Sequence, residues 1–82
     1  MNEVFLMGKI KTEVKFEFLI NSKNISIAIF KVKLKNKSEI LIKGYNEIAD
    51  FCYRNLEKNK YVFINGNLNS NMEIIIKKLN LL

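Results

Sequence analysis

Apolar and polar residues alternate with a period of two through most of this chain, and the alternation gives way once, to a single short helix. Residues 3 to 11, EVFLMGKIK, place Val4, Leu6, Gly8 and Ile10 on one face and Phe5 and Met7 on the other. A strand apolar on both sides in its first half is either central or part of a subunit contact, and Phe5 and Met7 are read as that contact. Residues 14 to 20 turn Val14, Phe16, Phe18 and Ile20 one way and Lys15 and Glu17 the other, the pattern of a half-buried strand. Asn21 to Asn24 carry turn chemistry. Residues 25 to 35 then set Ala28, Phe30, Val32 and Leu34 against Ile27, Ile29, Lys31, Lys33 and Lys35. Phe16, Phe18 and Phe30 read as core residues, since each sits in an apolar alternation.

A tight connection at Asn36 to Ser38 leads into a strand at 39 to 44, with Ile40 and Ile42 on one face and Leu41 and Lys43 on the other. From Asn46 the period becomes 3.6: Ile48, Ala49, Cys52, Tyr53 and Leu56 share a face opposite Glu47, Asp50, Arg54 and Glu57. Asn46 is expected to cap this helix through its side-chain oxygen, Lys58 to lie in its basic last turn, and Asn59 to supply a left-handed C-terminal cap. A strand at 61 to 68 follows, with Val62, Ile64, Gly66 and Leu68 facing a core and Tyr61 and Phe63 facing away. After a short turn at 69 to 71, a last strand runs from 73 to 81.

Short, evenly spaced strands with one helix between the third and fourth are the order of an OB fold: an all-β, five-stranded Greek-key barrel whose closure removes most exposed edges. Residues 3 to 11 together with 14 to 20 form its first strand, and residues 1–82 form one domain. At 82 residues without proline the chain is near the lower size for a self-sufficient core, so oligomerisation would help it. The apolar fraction, 49%, is spread along the chain and argues for a folded unit.

Charge and composition narrow the chemistry. The net charge of +6 comes from lysines interspersed along strands, which predicts a charged face on a folded sheet and not a basic tail. There is no histidine, and the eight acids are scattered, so neither catalysis nor a metal cluster has material to work with. We therefore expect no enzyme and no cofactor. The lone Cys52, on the inner face of the helix, reads as a small core residue. No apolar run approaches the roughly 18 residues that span a bilayer, and no secretion signal opens the chain. These features predict a soluble, cytoplasmic protein without a membrane partner.

The landmarks Gly44, Ala49, Leu56, Asn59, Val62, Gly66 and Leu68 stand in the order of a strand-ending glycine, a mid-helix alanine, a late leucine, a cap, a valine and Gly-x-Leu. This pattern resembles bacterial single-stranded DNA-binding proteins, which usually carry glycine where Asn59 stands. The opening VFLMGKI resembles the family's Val-x-Leu-x-Gly-x-Leu strand, which in family members pairs with its copy in a second subunit, and EIIIKKLNLL resembles its closing strand. The resemblance covers nearly the whole chain and implies binding of single-stranded DNA without sequence preference, in replication, repair or recombination, by a homodimer or homotetramer.

Such binding needs a basic groove for the backbone and aromatic platforms for bases. Lys31, Lys33, Lys35 and Lys43 are the candidate groove, with Lys9, Lys11 and Lys58 as rim contacts. Three of these lysines, at a spacing of two, project along about 13 Å of strand. Tyr45 is the candidate platform. Tyr61 and Phe63 either stack on bases or, as favoured here, join Phe5 and Met7 in a subunit interface. The chain departs from the family in having Lys43 where an aromatic usually precedes the glycine, no tryptophan, short loops at 35 to 38 and 69 to 72, and no acidic tail after Leu82. Those departures point toward plasmid, phage or mobile-element accessory proteins, or toward the family's primosomal adaptor relatives, and bring replication or mobile-element proteins in as partners. An OB-fold adaptor that binds a protein is thus the alternative reading.

Overall fold

The computed structural model describes residues 3–19 and 22–82. Its elements are β1 (Glu3–Ile10), β2 (Lys15–Leu19), β3 (Ser22–Lys33), β4 (Glu39–Tyr45), α1 (Glu47–Asn55), β5 (Tyr61–Leu68) and β6 (Ile74–Leu81). They form one sheet in the order β1-β5-β6-β4-β3-β2, closed on itself by a further pairing of β1 with β3. All neighbours are antiparallel except β4 and β6. Five strands therefore make a closed barrel, β2 continues the path of β1 along the far half of β3, and α1 falls between the barrel's third and fourth strands. This is an OB fold.

The alternation determines what the barrel encloses. Ile10, Ala28, Phe30, Val32, Ile42, Val62, Ile64, Ile74 and Ile76 are buried or nearly so, and Ala49, Cys52 and Leu56 of the helical segment complete the same cluster. Val4, Leu6, Val14, Phe16, Leu34, Ile40, Leu68 and Leu79 pack around it. The helix packs against β3 and β4 with its small side chains inward. It comes this close because Gly44 has no side chain: a Cβ there would meet Ile48 Cγ2 at 2.7 Å. Burial pushes the Cys52 thiol up to about 12, so it remains a neutral core group, as the sequence led us to expect.

Closure depends on Gly8. Seven consecutive residues of β1, Glu3 to Lys9, pair with β5, while Lys9 and Ile10 also pair with Lys33 and Val32 of β3. A Cβ at Gly8 would lie 2.7 Å from the Lys33 carbonyl oxygen and closer still to Val32 Cγ1. Only glycine lets β1 cross from one neighbour to the other at this point. Ahead of the crossing, β1 has no strand on its second side among the described residues.

Several local expectations are corrected. Asn46 begins the helix, and its carbonyl accepts the Asp50 N–H at 2.9 Å, but its side chain does not cap. Its Oδ1 instead accepts the Ser26 N–H at 3.3 Å, drawn to β3 by a backbone at φ 54°. The helix ends at Asn55, short of Lys58, because Leu56 turns extended and its side chain enters the core. Asn59 does take a left-handed φ of 75°, in a turn after the helix and not at its cap: its N–H donates to the Ile10 carbonyl at 2.8 Å, tying the turn to the end of β1.

Ser22 to Asn24, expected to turn, already belong to β3, and Leu19 pairs with Ser22 across a register shift. The expected core position Ile20 and the first turn residue, Asn21, lie outside the described residues. Phe18 is not a core residue. It is 59% exposed, because β2 is an edge strand that runs beyond the barrel, and its ring packs edge-on against Phe16 at 5.7 Å. Phe16 in turn lies 5.0 Å from the ring of Tyr53, which is exposed on the helix.

Candidate nucleic-acid interface

Barrel closure brings lysines from separate stretches of sequence together. Lys9 of β1 stands directly opposite Lys33 of β3, and Tyr61 of β5 directly opposite Lys9. Lys35 and Lys37 arrive from the β3–β4 hairpin, whose turn is well fixed. The Leu34 N–H donates to Ser38 O at 2.8 Å, the Lys37 N–H to Leu34 O at 2.9 Å, and the Ser38 N–H to Asn36 Oδ1 at 3.0 Å. Lys37 takes φ 71° there. Met7, Gly8, Lys9, Lys33, Leu34, Lys35, Lys37 and Tyr61 line a surface groove of about 400 Å³.

Like charges directly opposite on paired strands are unfavourable unless something between them is negative. Among the described residues, the ion pairs are Lys43–Glu73, Arg54–Asp50 and Lys77–Glu3, and none involves a groove lysine. Glu39 is the opposite neighbour of Lys33 on β4, and no ion pair forms between them. The groove is thus a concave basic surface whose lysines make no contact ion pair among the described residues, with Glu39 beside Lys33 as its acidic neighbour, and it is lined by one aromatic ring.

The remaining sequence candidates are dispersed. Lys31 is exposed on the same outer face of β3 as Lys33. Its N–H donates to Thr12 Oγ1 at 3.0 Å, and its carbonyl accepts the Lys11 N–H at 2.8 Å, so Lys11 and Lys31 flank the groove at the far end of the closure. Lys58 is exposed on the turn that meets the end of β1. Lys43 stands opposite Ile29 and is engaged: its Nζ lies 3.1 Å from Glu73 Oε2 and both side chains are mostly buried. Hydrogen bonds from Asn69 and from Lys43 hold the Glu73 carboxyl below the usual carboxylate range. Tyr45, the candidate platform, lies opposite Ile27 at the other end of β4, where Ile27 is itself buried.

The four residues expected to form a subunit interface share the outer face of β1 and β5, but they divide. Phe5 and Met7 are well exposed, and the Phe5 ring stacks on Phe63 with centroids 6.4 Å apart. Tyr61, further along, belongs to the groove. Beside this patch Glu3 accepts hydrogen bonds from Lys77 at 3.1 Å and Asn65 at 3.2 Å, which lower its carboxyl from the ordinary range.

Sequence reasoning missed Lys37 and the role of Glu73. The first could have been found by continuing the two-residue count Lys31, Lys33, Lys35 into the hairpin. The second needed the parallel pairing of β4 with β6. Among the described residues no three His, Cys, Asp or Glu side chains gather to hold a metal ion, and no helix is long and apolar enough to cross a membrane.

The barrel, its closure and its single helix define an OB-fold domain. No protein-family model matches the sequence, and no curated protein matches it. Solved structures do share the fold. The SSB domain of a protein from Synechococcus sp. is similar with a TM-score of 0.88 at 16% identity, covering 98% of this chain and 94% of that one. The wild-type single-stranded DNA binding protein from Thermus aquaticus gives 0.86 at 15% identity, and the match covers all of this chain but 40% of that one. A mitochondrial single-stranded DNA binding protein from S. cerevisiae gives 0.85 at 17% identity, covering 98% of this chain and 92% of that one.

Proposed function

We propose that this protein binds single-stranded DNA without sequence preference, in the service of DNA replication, repair or recombination, and that the groove at the β1–β3 closure is where the strand's phosphates lie. The observation that carries this reading is the row Lys9–Lys33, joined by Lys35 and Lys37 around one groove, with no acidic partner among the described ion pairs. Polyanion binding relieves that repulsion and releases counterions. The groove is open and lacks the deep, closed shape of a small-molecule pocket, which suits a flexible strand tracking across a surface. The similar structures support the reading, since those from Thermus aquaticus and S. cerevisiae are named single-stranded DNA binding proteins.

Lys31 and Lys11 extend the basic path beyond the groove, and Lys58 adjoins it. Lys43 and Tyr45 play no direct part. A second copy of the chain covers Phe5, Met7 and Phe63, the exposed apolar face of β1 and β5. The test is fluorescence anisotropy of labelled oligo-dT titrated with the protein at several salt concentrations, beside a duplex of the same length. Salt-sensitive binding that prefers the single strand is the expected result. Absence of binding at low salt overturns the reading and leaves the barrel as a protein-binding adaptor.

A further inference from the structure

We infer that Tyr61 is a base-stacking platform, so that the groove holds a nucleotide of the bound strand by its base as well as by its phosphate. This rests on the single-strand reading above and adds a contact that the lysines alone do not supply. Tyr61, Lys9 and Lys33 occupy one cross-strand row over β5, β1 and β3, which spans roughly 10 Å at the usual strand spacing. Tyr61 is 52% exposed and Met7 and Leu34 add apolar wall to the same groove. A face of carbon atoms beside lysines unpaired in the described structure is the combination a nucleotide presents in reverse: a flat apolar base on a charged backbone.

The platform is also held in place. Tyr61 pairs with Lys9 on one side, and its carbonyl accepts the Leu82 N–H at 3.1 Å on the other. The ring therefore projects from a backbone fixed by two neighbours, and little ordering remains to be done when a base arrives. Its strand neighbour Phe63 differs: that ring is half-buried and already stacked on Phe5. The other aromatic cluster, Phe16, Phe18 and Tyr53, is built of ring-on-ring contacts and lies outside the groove.

The experiment compares oligo-dT with an abasic oligomer of equal length, which keeps the phosphates and removes the bases. Tyr61→Ala is expected to weaken oligo-dT binding roughly 5- to 150-fold, the range for losing one stacked base, and to change abasic binding by less than about twofold because the charges remain. Tyr53→Ala, outside the groove, serves as the control. Tyr61→Trp gives the chain its single tryptophan, whose fluorescence is expected to be quenched by oligo-dT and not by the abasic strand. Circular dichroism verifies that each variant is folded, and the tryptophan variant carries the test if the alanine variant is not. Equal loss on both oligomers, or no loss on oligo-dT with an unquenched tryptophan, overturns the inference while leaving the single-strand reading intact. Failure of the wild-type protein to bind oligo-dT overturns the reading itself.

Discussion

Lys35 and Lys43 carry the same charge and were equivalent in the sequence, yet the structure separates them, and removing each in turn tests the groove. Four lysines surround the groove. If each neutralises one phosphate, the slope of log K against log salt on a single strand is about −2.8, at about 0.7 per phosphate. Lys35→Gln then reduces the slope to about −2.1. Between about 50 and about 200 mM salt the wild-type protein loses roughly 50-fold in affinity and the variant roughly 20-fold. Lys43 is held 3.1 Å from Glu73 Oε2, and its side chain retains 23% exposure. Its charge is already committed, so Lys43→Gln leaves the slope near −2.8 although it lowers the net charge by the same one unit. The assay is oligo-dT anisotropy across salt for the three proteins, each verified as folded by circular dichroism. The slope is the decisive quantity, because a partly unfolded variant lowers apparent affinity without changing how the folded fraction responds to salt. Equal slopes for Lys35→Gln and wild type, or an equal reduction in both variants, would refute the assignment of the phosphate path to the groove.

Core and edge phenylalanines should respond differently to truncation. Phe30→Ala is expected to cost about 3 to 5 kcal/mol and Phe18→Ala less than about 1 kcal/mol, read from urea midpoints. Gly8→Ala forces a methyl group into Val32 and the Lys33 carbonyl at the closure. It should destabilise by about 1 to 3 kcal/mol and weaken binding of oligo-dT, measured by denaturation and anisotropy on the same preparation. The carboxyls of Glu3 and Glu73 are lowered from 4.5 by hydrogen bonds made in the folded state. Their stabilisation is therefore complete above that value and lost as pH falls through the folded-state values. Melting temperature should hold between pH 7 and 5 and drop below about 4.5, with a smaller drop in Glu3→Gln/Glu73→Gln. Phe5→Glu puts charge into the apolar face of β1 and should convert an oligomer to monomer, measured by light scattering.

The barrel was legible in the sequence because burial in a closed sheet repeats every two residues, and every core position of β1, β3, β4 and β5 named from that period is buried or packed against the core. The helix was legible for the same reason on a different period through Ile48, Ala49, Cys52 and Leu56, although Tyr53, assigned to the same face, is 60% exposed. What failed lay where the period does not decide. Phe18 alternates correctly with Phe16, but alternation says which face a side chain takes and not whether that face is covered, and at the end of an edge strand Phe18 stays 59% exposed. Asn46 has the side chain of a helix cap, and its oxygen was claimed by Ser26, twenty residues earlier, because the strand it follows pairs there. The candidate site was half legible. Lys33 and Lys35 follow from spacing, whereas their meeting with Lys9 and Tyr61 comes from two different pairings of β1, and the loss of Lys43 comes from its pairing with Glu73, the acid just ahead of β6.

The outer face of β1 reads Phe5, Met7, Lys9, and that succession explains how one short strand can support two kinds of contact. Its inner face, Val4, Leu6, Gly8 and Ile10, is bound by the core and by the closure at Gly8. Because strand side chains alternate strictly, substitutions on the outer face leave the inner one untouched, so apolar residues for a second copy and basic residues for a polyanion can follow one another without disturbing the fold. The two meet at Met7, which is exposed beside Phe5 and also lines the groove. A contact between copies that reached past Met7 to Tyr61 would cover the base platform. The proposed interface therefore has to end at Phe63 and Met7, and Tyr61→Ala should weaken binding of oligo-dT without altering the oligomeric state. The same separation of faces shows why the fold is shared at 15 to 17% identity with the similar structures. The barrel constrains the apolar type of alternate positions and a few glycines, and leaves the other half of each strand free to vary.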